Sequence, residues 1–276
     1  IAPTREMLSQ LGLVADWRPF VLDIPSYLGS AKLDRSGKKI ASENRSEEQW
    51  SGVKYAYFDC RRYANLRNIT IKGTVKIWNT DLPAIGMLWL KSFLSLAEQS
   101  ESGSLLERYI DAIYEPFWKR ELDVEDLSEI ARIINQIGAP AEGFLDYAKG
   151  EGASLNNRLQ GTAFDAGIFG VPTYILPNKS VDDPKHEKFF GREHLPRISW
   201  LLSGRNGGAP STAYKLYSQV DKEVLAKSAT DQPPETRLSS DTPELKTFFD
   251  FNSAHSYLAL ESIKAIKKEG ISIEWK

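Results

Sequence analysis

Gly167-Ile-Phe-Gly-Val-Pro-Thr-Tyr174 is the stretch on which the reading of the chain turns. Two glycines bracket a turn, and Val171-Pro172 then leads into a run of strand formers, Tyr174–Leu176. Proline has no N–H to give to a sheet ladder, so at the head of a strand it marks an edge or a specialised turn. The bond before it is a candidate for the cis form, which belongs to tight turns. Such a turn can leave the N–H and C=O of Val171 facing outward, where an extended peptide could pair with them as a short added strand. The spacing alone reads equally well as a plain turn into a strand.

Downstream, Pro172–Leu176 and His186–Phe190 read as two strands around a polar turn, and Leu195–Leu202 begins a helix. Upstream, from Glu48 to about Glu193, helical periodicity dominates. Trp50, Val53, Tyr57, Cys60 and Ala64 recur at spacings of three and four. Leu105, Leu106, Tyr109, Ile110, Ile113, Tyr114 and Phe117 make a second stripe. Leu127, Ile130, Ala131, Ile134 and Ile137 make a third, with Asp123 as its N-cap and Gly138 and Pro140 closing it. The aromatic residues of these stripes, Phe117 and Trp118 included, read as core. Further upstream, Arg5–Leu11 reads as the end of a helix stopped by Gly12, Leu13–Ile24 as a strand, and Pro25–Glu48 as a polar loop.

Beyond the last of these helices the composition changes. Ser203–Pro243 is rich in Gly, Pro, Ser, Thr and Asp, and reads as a linker, residues 204–244, with a short helix at Ala213–Ala226. Leu245–Phe251 then reads as a strand, Ser256–Lys268 as a helix and Ile271–Trp275 as a second strand. This last unit echoes the first. Gly270-Ile-Ser-Ile-Glu-Trp-Lys276 lies over Gly12-Leu-Val-Ala-Asp-Trp-Arg18, with glycine and tryptophan identical and three positions conservative. The domain reading is therefore 1–203 as one domain without its opening strand, with a helical insertion at about 48–165. After the linker, 245–276 begins a second repeat, a tandem member seen as a fragment. Leu245–Phe251 is expected to be able to complete the first domain's sheet and to bring Ser253 to Val171-Pro172.

The bulk properties narrow the function classes. A net charge of -2 over 276 residues gives no long-range attraction to nucleic acid or an anionic membrane. No apolar run approaches the roughly 20 residues of a membrane helix. The one cysteine, Cys60, can build neither a Cys-x-x-Cys redox site nor a zinc cluster, so no metal is expected. Its place on the first stripe makes it a buried core thiol, and a single unpaired thiol fits a reducing, cytoplasmic setting.

Two stretches are similar to one family. Gly167–Thr173 followed by a hairpin and Phe189-Phe-Gly-Arg-Glu-His-Leu195 resembles the C-terminal half of the DsbA-like thioredoxin family, in its glutathione transferase kappa and 2-hydroxychromene-2-carboxylate isomerase branch. Phe248-Phe-Asp-Phe-Asn-Ser-Ala-His-Ser-Tyr-Leu-Ala259 resembles that branch's opening motif. The resemblance covers about residues 1–203 and 246–276, the middle by architecture alone. It implies an α/β thioredoxin-like fold with an all-helical insertion. It also implies a glutathione-dependent transferase or isomerase acting on a small aromatic or electrophilic substrate, with glutathione and that substrate as the partners.

By the same resemblance, Ser253 would donate its hydroxyl to the glutathione sulfur, and Val171 and Pro172 would hold the cysteinyl backbone. Arg192 and Glu193 would hold the γ-glutamyl end, and Asn79 would contact ligand. Each has a plainer reading. Ser253 is also an N-cap, Asn79 a helix cap before Leu82, and Arg192-Glu193 a charged first turn. Ala254 stands where the family usually has proline, and His255 reads as an exposed helix-start residue rather than an acid or base. The alternatives are a thiol-disulfide oxidoreductase relative without Cys-x-x-Cys and a non-catalytic binding domain.

Overall fold

The computed structural model describes residues 1–34, 36–176, 187–210, 245–268 and 272–276. The chain divides into two units, Ile1–Leu216 and Tyr217–Lys276. The expected linker lies outside the described residues from 211 to 244, and its short helix at Ala213–Ala226 with it.

The first unit opens with α1 (Ala2–Leu11), ended by Gly12 in the left-handed conformation. Leu13–Ile24, expected as a strand, is irregular as far as Asp23, and Ile24 begins the short helix α2 (Ile24–Leu28). No strand lies beside it among the described residues, so its polar groups are satisfied by side chains instead. The Ala15 N–H donates to Ser100 Oγ at 3.2 Å and the Val21 N–H to Gln160 Oε1 at 2.9 Å. The Lys91 ammonium bonds both the Asp16 carboxylate and the Trp17 carbonyl. Pro25–Glu48, expected as a loop, also contains an antiparallel hairpin, β1 (Ala31–Leu33) and β2 (Ile40–Glu43). Every residue of β2 is exposed, so no apolar alternation advertised it.

Seven helices follow: α3 (Glu47–Asn65), α4 (Asp81–Lys91), α5 (Leu96–Ser100), α6 (Leu105–Trp118), α7 (Leu127–Gln136), α8 (Phe144–Lys149) and α9 (Glu151–Asp165). Ser46 and Gln49 form a reciprocal capping box at the start of α3. The cap of α7 is Asp126, whose carboxylate accepts from the Ser128 N–H at 2.8 Å; Asp123 caps the preceding turn through the Glu125 N–H. The apolar stripes of α4, α6 and α7 meet Phe144 of α8 in one core centred on Leu90, Leu106, Tyr109, Ile130 and Ile134.

The chain then returns as the antiparallel pair β3 (Thr173–Leu176) and β4 (Glu187–Phe190), in the register Thr173↔Phe190 to Leu176↔Glu187. A 3₁₀ turn (Arg192–His194) leads into α10 (Leu195–Leu202). Alternation along the strands puts Tyr174, Leu176 and Phe189 on the face that packs with Met7 of α1 and Leu195 and Ile198 of α10, a second and smaller core. Arg5 ties α1 to the helical layer, its Nη1 donating to both carboxylate oxygens of Asp111 at 3.0 Å.

The second unit is a β-α-β element: β5 (Leu245–Thr247), α11 (Ala254–Lys268) and β6 (Ile273–Trp275), with β5 and β6 parallel. The strand expected over Leu245–Phe251 stops at Thr247, and by Asp250 the chain turns, with the Asn252 N–H bonded to Asp250 Oδ1 at 3.0 Å. The ladders among the described residues are β1–β2, β3–β4 and β5–β6. The pairing expected between Leu245–Phe251 and the first unit's sheet is not one of them. β5 closes on β6 inside its own unit, across the helical crossover that a parallel pair requires. Among the described residues no helix is long and apolar enough to cross a membrane.

One close approach holds α4 against α6. A Cβ added at Gly86 would lie 2.1 Å from the Tyr109 hydroxyl, which donates to the Pro83 carbonyl at 2.9 Å from a fully buried ring. Burial pushes that phenol far up, so it stays a neutral donor. Gly86→Ala should destabilise the protein by about 1–3 kcal/mol through overpacking, although alanine is the better helix former. Urea unfolding followed by circular dichroism measures this, and an unchanged or higher midpoint would refute the close-packing account.

Candidate functional site

The head of the β3–β4 hairpin collects four of the residues singled out by the sequence. The Val171-Pro172 bond is cis. The Gly191 N–H donates to the Pro172 carbonyl at 2.9 Å, so the residues before β3 and after β4 are held side by side. Thr173 Oγ1 donates to the Gly170 carbonyl at 2.6 Å and closes the turn from within. Val171 is 43% exposed, and among the described residues no hydrogen bond reaches its N–H or C=O. The plain-turn reading and the open-backbone reading of Gly167–Thr173 are therefore both part of the answer: the turn is self-contained, and it leaves the Val171 N–H and C=O without a bond among the described residues.

Gly191 has φ 105, a conformation that favours glycine, and the Glu193 carboxylate folds back over it. A Cβ at Gly191 would meet Glu193 Oε1 at 2.2 Å. The neighbouring Arg192 lays its guanidinium over the Tyr63 ring, 3.9 Å from the centroid. The Arg192–Glu193 turn thus follows directly on Gly191, whose N–H is bonded to the Pro172 carbonyl next to Val171. Beside them Phe169 packs on Phe190 with ring centroids 4.8 Å apart, and Phe169 remains 72% exposed. Sequence reasoning passed over Tyr63, Phe169 and Phe190. Phe169 lies inside the quoted motif and Phe190 ends β4, and the outward side of Phe190 was set only by the strand register.

Asn79 is elsewhere in the first unit. Its Oδ1 accepts from the Asp81 N–H at 2.7 Å, a local cap at the start of α4, and its own N–H donates to Glu125 Oε1 at 2.8 Å. It lines a cleft of about 630 Å³ with Val21, Lys32, Lys76, Trp78 and Glu125; Val171, Pro172, Arg192 and Glu193 do not line that cleft. Burial pushes the Glu125 carboxyl up, but its bonds to the Lys76 ammonium and the Asn79 N–H more than offset this and hold it below the usual range. Lys76 also stands over the Trp78 ring, 4.3 Å from the centroid.

Ser253 belongs to the second unit, where it caps α11: its Oγ accepts from the Ser256 N–H at 3.2 Å. A hydroxyl that accepts one bond still has its hydrogen to give. His255 is exposed in the first turn of the same helix. Cys60, expected in the core, is exposed. The buried line of α3 passes through Val53 and Ala64 and leans toward Tyr57 and Arg61, whose Nε donates to the Ile71 carbonyl at 2.7 Å. Cys60 stands about 60° round the helix from Tyr57, at the margin of that line.

The family described as the DSBA-like thioredoxin domain matches residues 65–202. Among solved structures, one of 2-hydroxychromene-2-carboxylate isomerase is similar at 16% identity and a TM-score of 0.48, over 80% of this chain and 89% of that one. No curated protein matches.

The exposure of Cys60 gives a direct check on the α3 packing. Ellman's reagent should titrate one thiol per chain in the native protein within minutes, without loss of helical signal. A thiol that reacts only after denaturant is added would put Cys60 back in the core.

Proposed function

The chain belongs to the DsbA-like thioredoxin domain family, and from that footing we propose that it is a glutathione-dependent isomerase or transferase acting on a small aromatic or electrophilic substrate, of the 2-hydroxychromene-2-carboxylate isomerase kind. The observation that carries the reading is the exposed Val171 N–H and C=O, which no hydrogen bond reaches among the described residues, next to the Gly191–Pro172 bond that leads into the Arg192–Glu193 turn. A tripeptide of glutathione's shape needs these groups: a backbone N–H and C=O for its cysteinyl residue, an acceptor for its ammonium and a cation for its carboxylate. The fit extends to the cradle over Gly191, where any Cβ would occupy the place of the Glu193 carboxylate.

In this reading Val171 pairs with the cysteinyl backbone as a short added strand. Glu193 accepts from the γ-glutamyl ammonium, and Arg192 pairs with its carboxylate in charge-assisted bonds. The exposed Phe169–Phe190 pair offers an apolar wall to an aromatic substrate. Within the second unit Ser253 keeps a hydroxyl hydrogen, the kind of donor a thiolate accepts from, and the N-terminus of α11 favours a thiolate over a thiol. Asn79 contacts substrate with its exposed amide. Bound glutathione would supply a sulfur nucleophile that adds to the substrate and leaves again. Dithiol exchange is the weaker reading, because it needs a resolving thiol and these 276 residues contain Cys60 alone.

Glutathione titrated calorimetrically should bind, and Glu193→Ala should weaken binding by about 1–3 kcal/mol as one charge-assisted bond is lost. Full affinity in that variant would remove Glu193 from the site. In a coupled assay the protein should isomerise 2-hydroxychromene-2-carboxylate only with glutathione present, and Ser253→Ala should depress the rate. Robust insulin reduction, abolished by Cys60→Ser, would instead favour the oxidoreductase reading.

A further inference from the structure

We propose that Gln160 and Asn156 of α9 are positioning residues for the Asn79 cleft, joining its two walls by a hydrogen-bond relay whose polarity admits one arrangement. The inference rests on the reading of Asn79 as a substrate contact, and no sequence motif pointed to it. Asn156 is 1% exposed, so its amide must find partners inside the protein. Its Nδ2 donates to Asp81 Oδ1 at 2.8 Å, and its Oδ1 accepts from Gln160 Nε2 at 3.0 Å. Gln160 Oε1 accepts from the Val21 N–H at 2.9 Å. At the other end the Asp81 N–H donates to Asn79 Oδ1, and the Asn79 N–H donates to Glu125, which the Lys76 ammonium neutralises. Val21 stands at one end of this chain of bonds, and Asn79, Glu125 and Lys76 at the other; all four line the cleft.

The ends dictate the middle. The Val21 N–H can only donate, so Gln160 must present its oxygen there and its NH₂ toward Asn156. Asn156 must then accept from Gln160 and donate to the Asp81 carboxylate, which accepts. Turning either amide over would set two donors or two acceptors face to face. Spaced i, i+4 on α9, the two side chains share one face of the helix. The helix thereby fixes the Val21–Pro25 wall, which has no strand neighbour among the described residues, relative to the loop that carries Asn79. A ligand entering the cleft would meet a wall set in advance rather than one it must order.

Two substitutions separate the relay from mere packing. Gln160→Leu removes every bond, whereas Gln160→Glu keeps an acceptor for Val21 and loses the donor to Asn156. Backbone amide exchange by NMR should speed up at Val21 by about tenfold in Gln160→Leu, the equivalent of about one hydrogen bond, and remain near the parent rate in Gln160→Glu. The amides of α6 and α7 should keep their protection in both. For turnover of 2-hydroxychromene-2-carboxylate with glutathione, Gln160→Leu should raise KM several-fold and leave kcat within about twofold, since the wall acts on binding. Unchanged exchange at Val21, or a KM equal to the parent's, would overturn the positioning role. Loss of the whole helical fold in Gln160→Leu, with Gln160→Glu exchanging at Val21 as fast as elsewhere in its segment, would also overturn it. If the parent protein shows no turnover, the proposed function fails by itself, and exchange at Val21 in the two variants alone decides the relay.

Discussion

One backbone hydrogen bond, from the Gly191 N–H to the Pro172 carbonyl, sets the frame on which both the smaller core and the candidate glutathione site depend. It fixes where β3 and β4 begin to pair, and so fixes Thr173 opposite Phe190. A slip of one residue would turn Tyr174, Leu176 and Phe189 away from α1 and α10 and bring Thr173, Ile175 and Phe190 inward. The second core, with Met7, Leu195 and Ile198, would have nothing to pack on. The same bond sets Gly191, and so the start of the Arg192–Glu193 turn, next to Pro172 and the Val171 N–H and C=O, which no hydrogen bond reaches among the described residues. Register, core and the position of the Arg192–Glu193 turn are therefore consequences of a single constraint. The left-handed backbone at Gly191 is what lets the chain meet it while Glu193 folds back overhead.

The helical layer obeys a different constraint, the close approach of α4 to α6 at Gly86. Once those helices are in contact, the tightly packed core from Leu90 to Phe144 leaves α9 a polar face turned toward Asp81 and Val21. Buried amides in such a place must be fully partnered, because an unmet donor or acceptor there costs about 1–3 kcal/mol. In this layer the demand for satisfaction and the need to hold a segment that has no strand neighbour among the described residues are answered by the same two side chains.

Long periodic segments were legible from the sequence, and so was the turn. The stripes through Leu106, Tyr109, Ile113, Ile130 and Ile134 repeat every three or four residues, and the helices lie where that repeat puts them. Gly170-Val-Pro-Thr announced its hairpin because proline and glycine restrict the backbone locally. Leu13–Ile24 failed for the opposite reason. Gly12–Arg18 and Gly270–Lys276 have like compositions, yet Ile273–Trp275 is a strand beside β5 while Leu13–Asp23 is irregular. Strand propensity expresses the company of a neighbour, which no local window contains. The β1–β2 hairpin escaped because β1 is three residues long and β2, exposed throughout, carries no alternation. Cys60 was misplaced because it lies at the edge of a stripe rather than at its centre. The relay was invisible because Asn156 and Gln160 look like surface residues until Asp81 and Val21 are placed beside them.

The account's central claim is that Val171 and the Arg192–Glu193 turn form a peptide-binding edge for glutathione. An ¹⁵N-correlation NMR titration with reduced glutathione tests it most directly. The account predicts saturable shifts that are largest at the amides of Val171, Arg192 and Glu193. Saturating glutathione that leaves those three amides in place would contradict it.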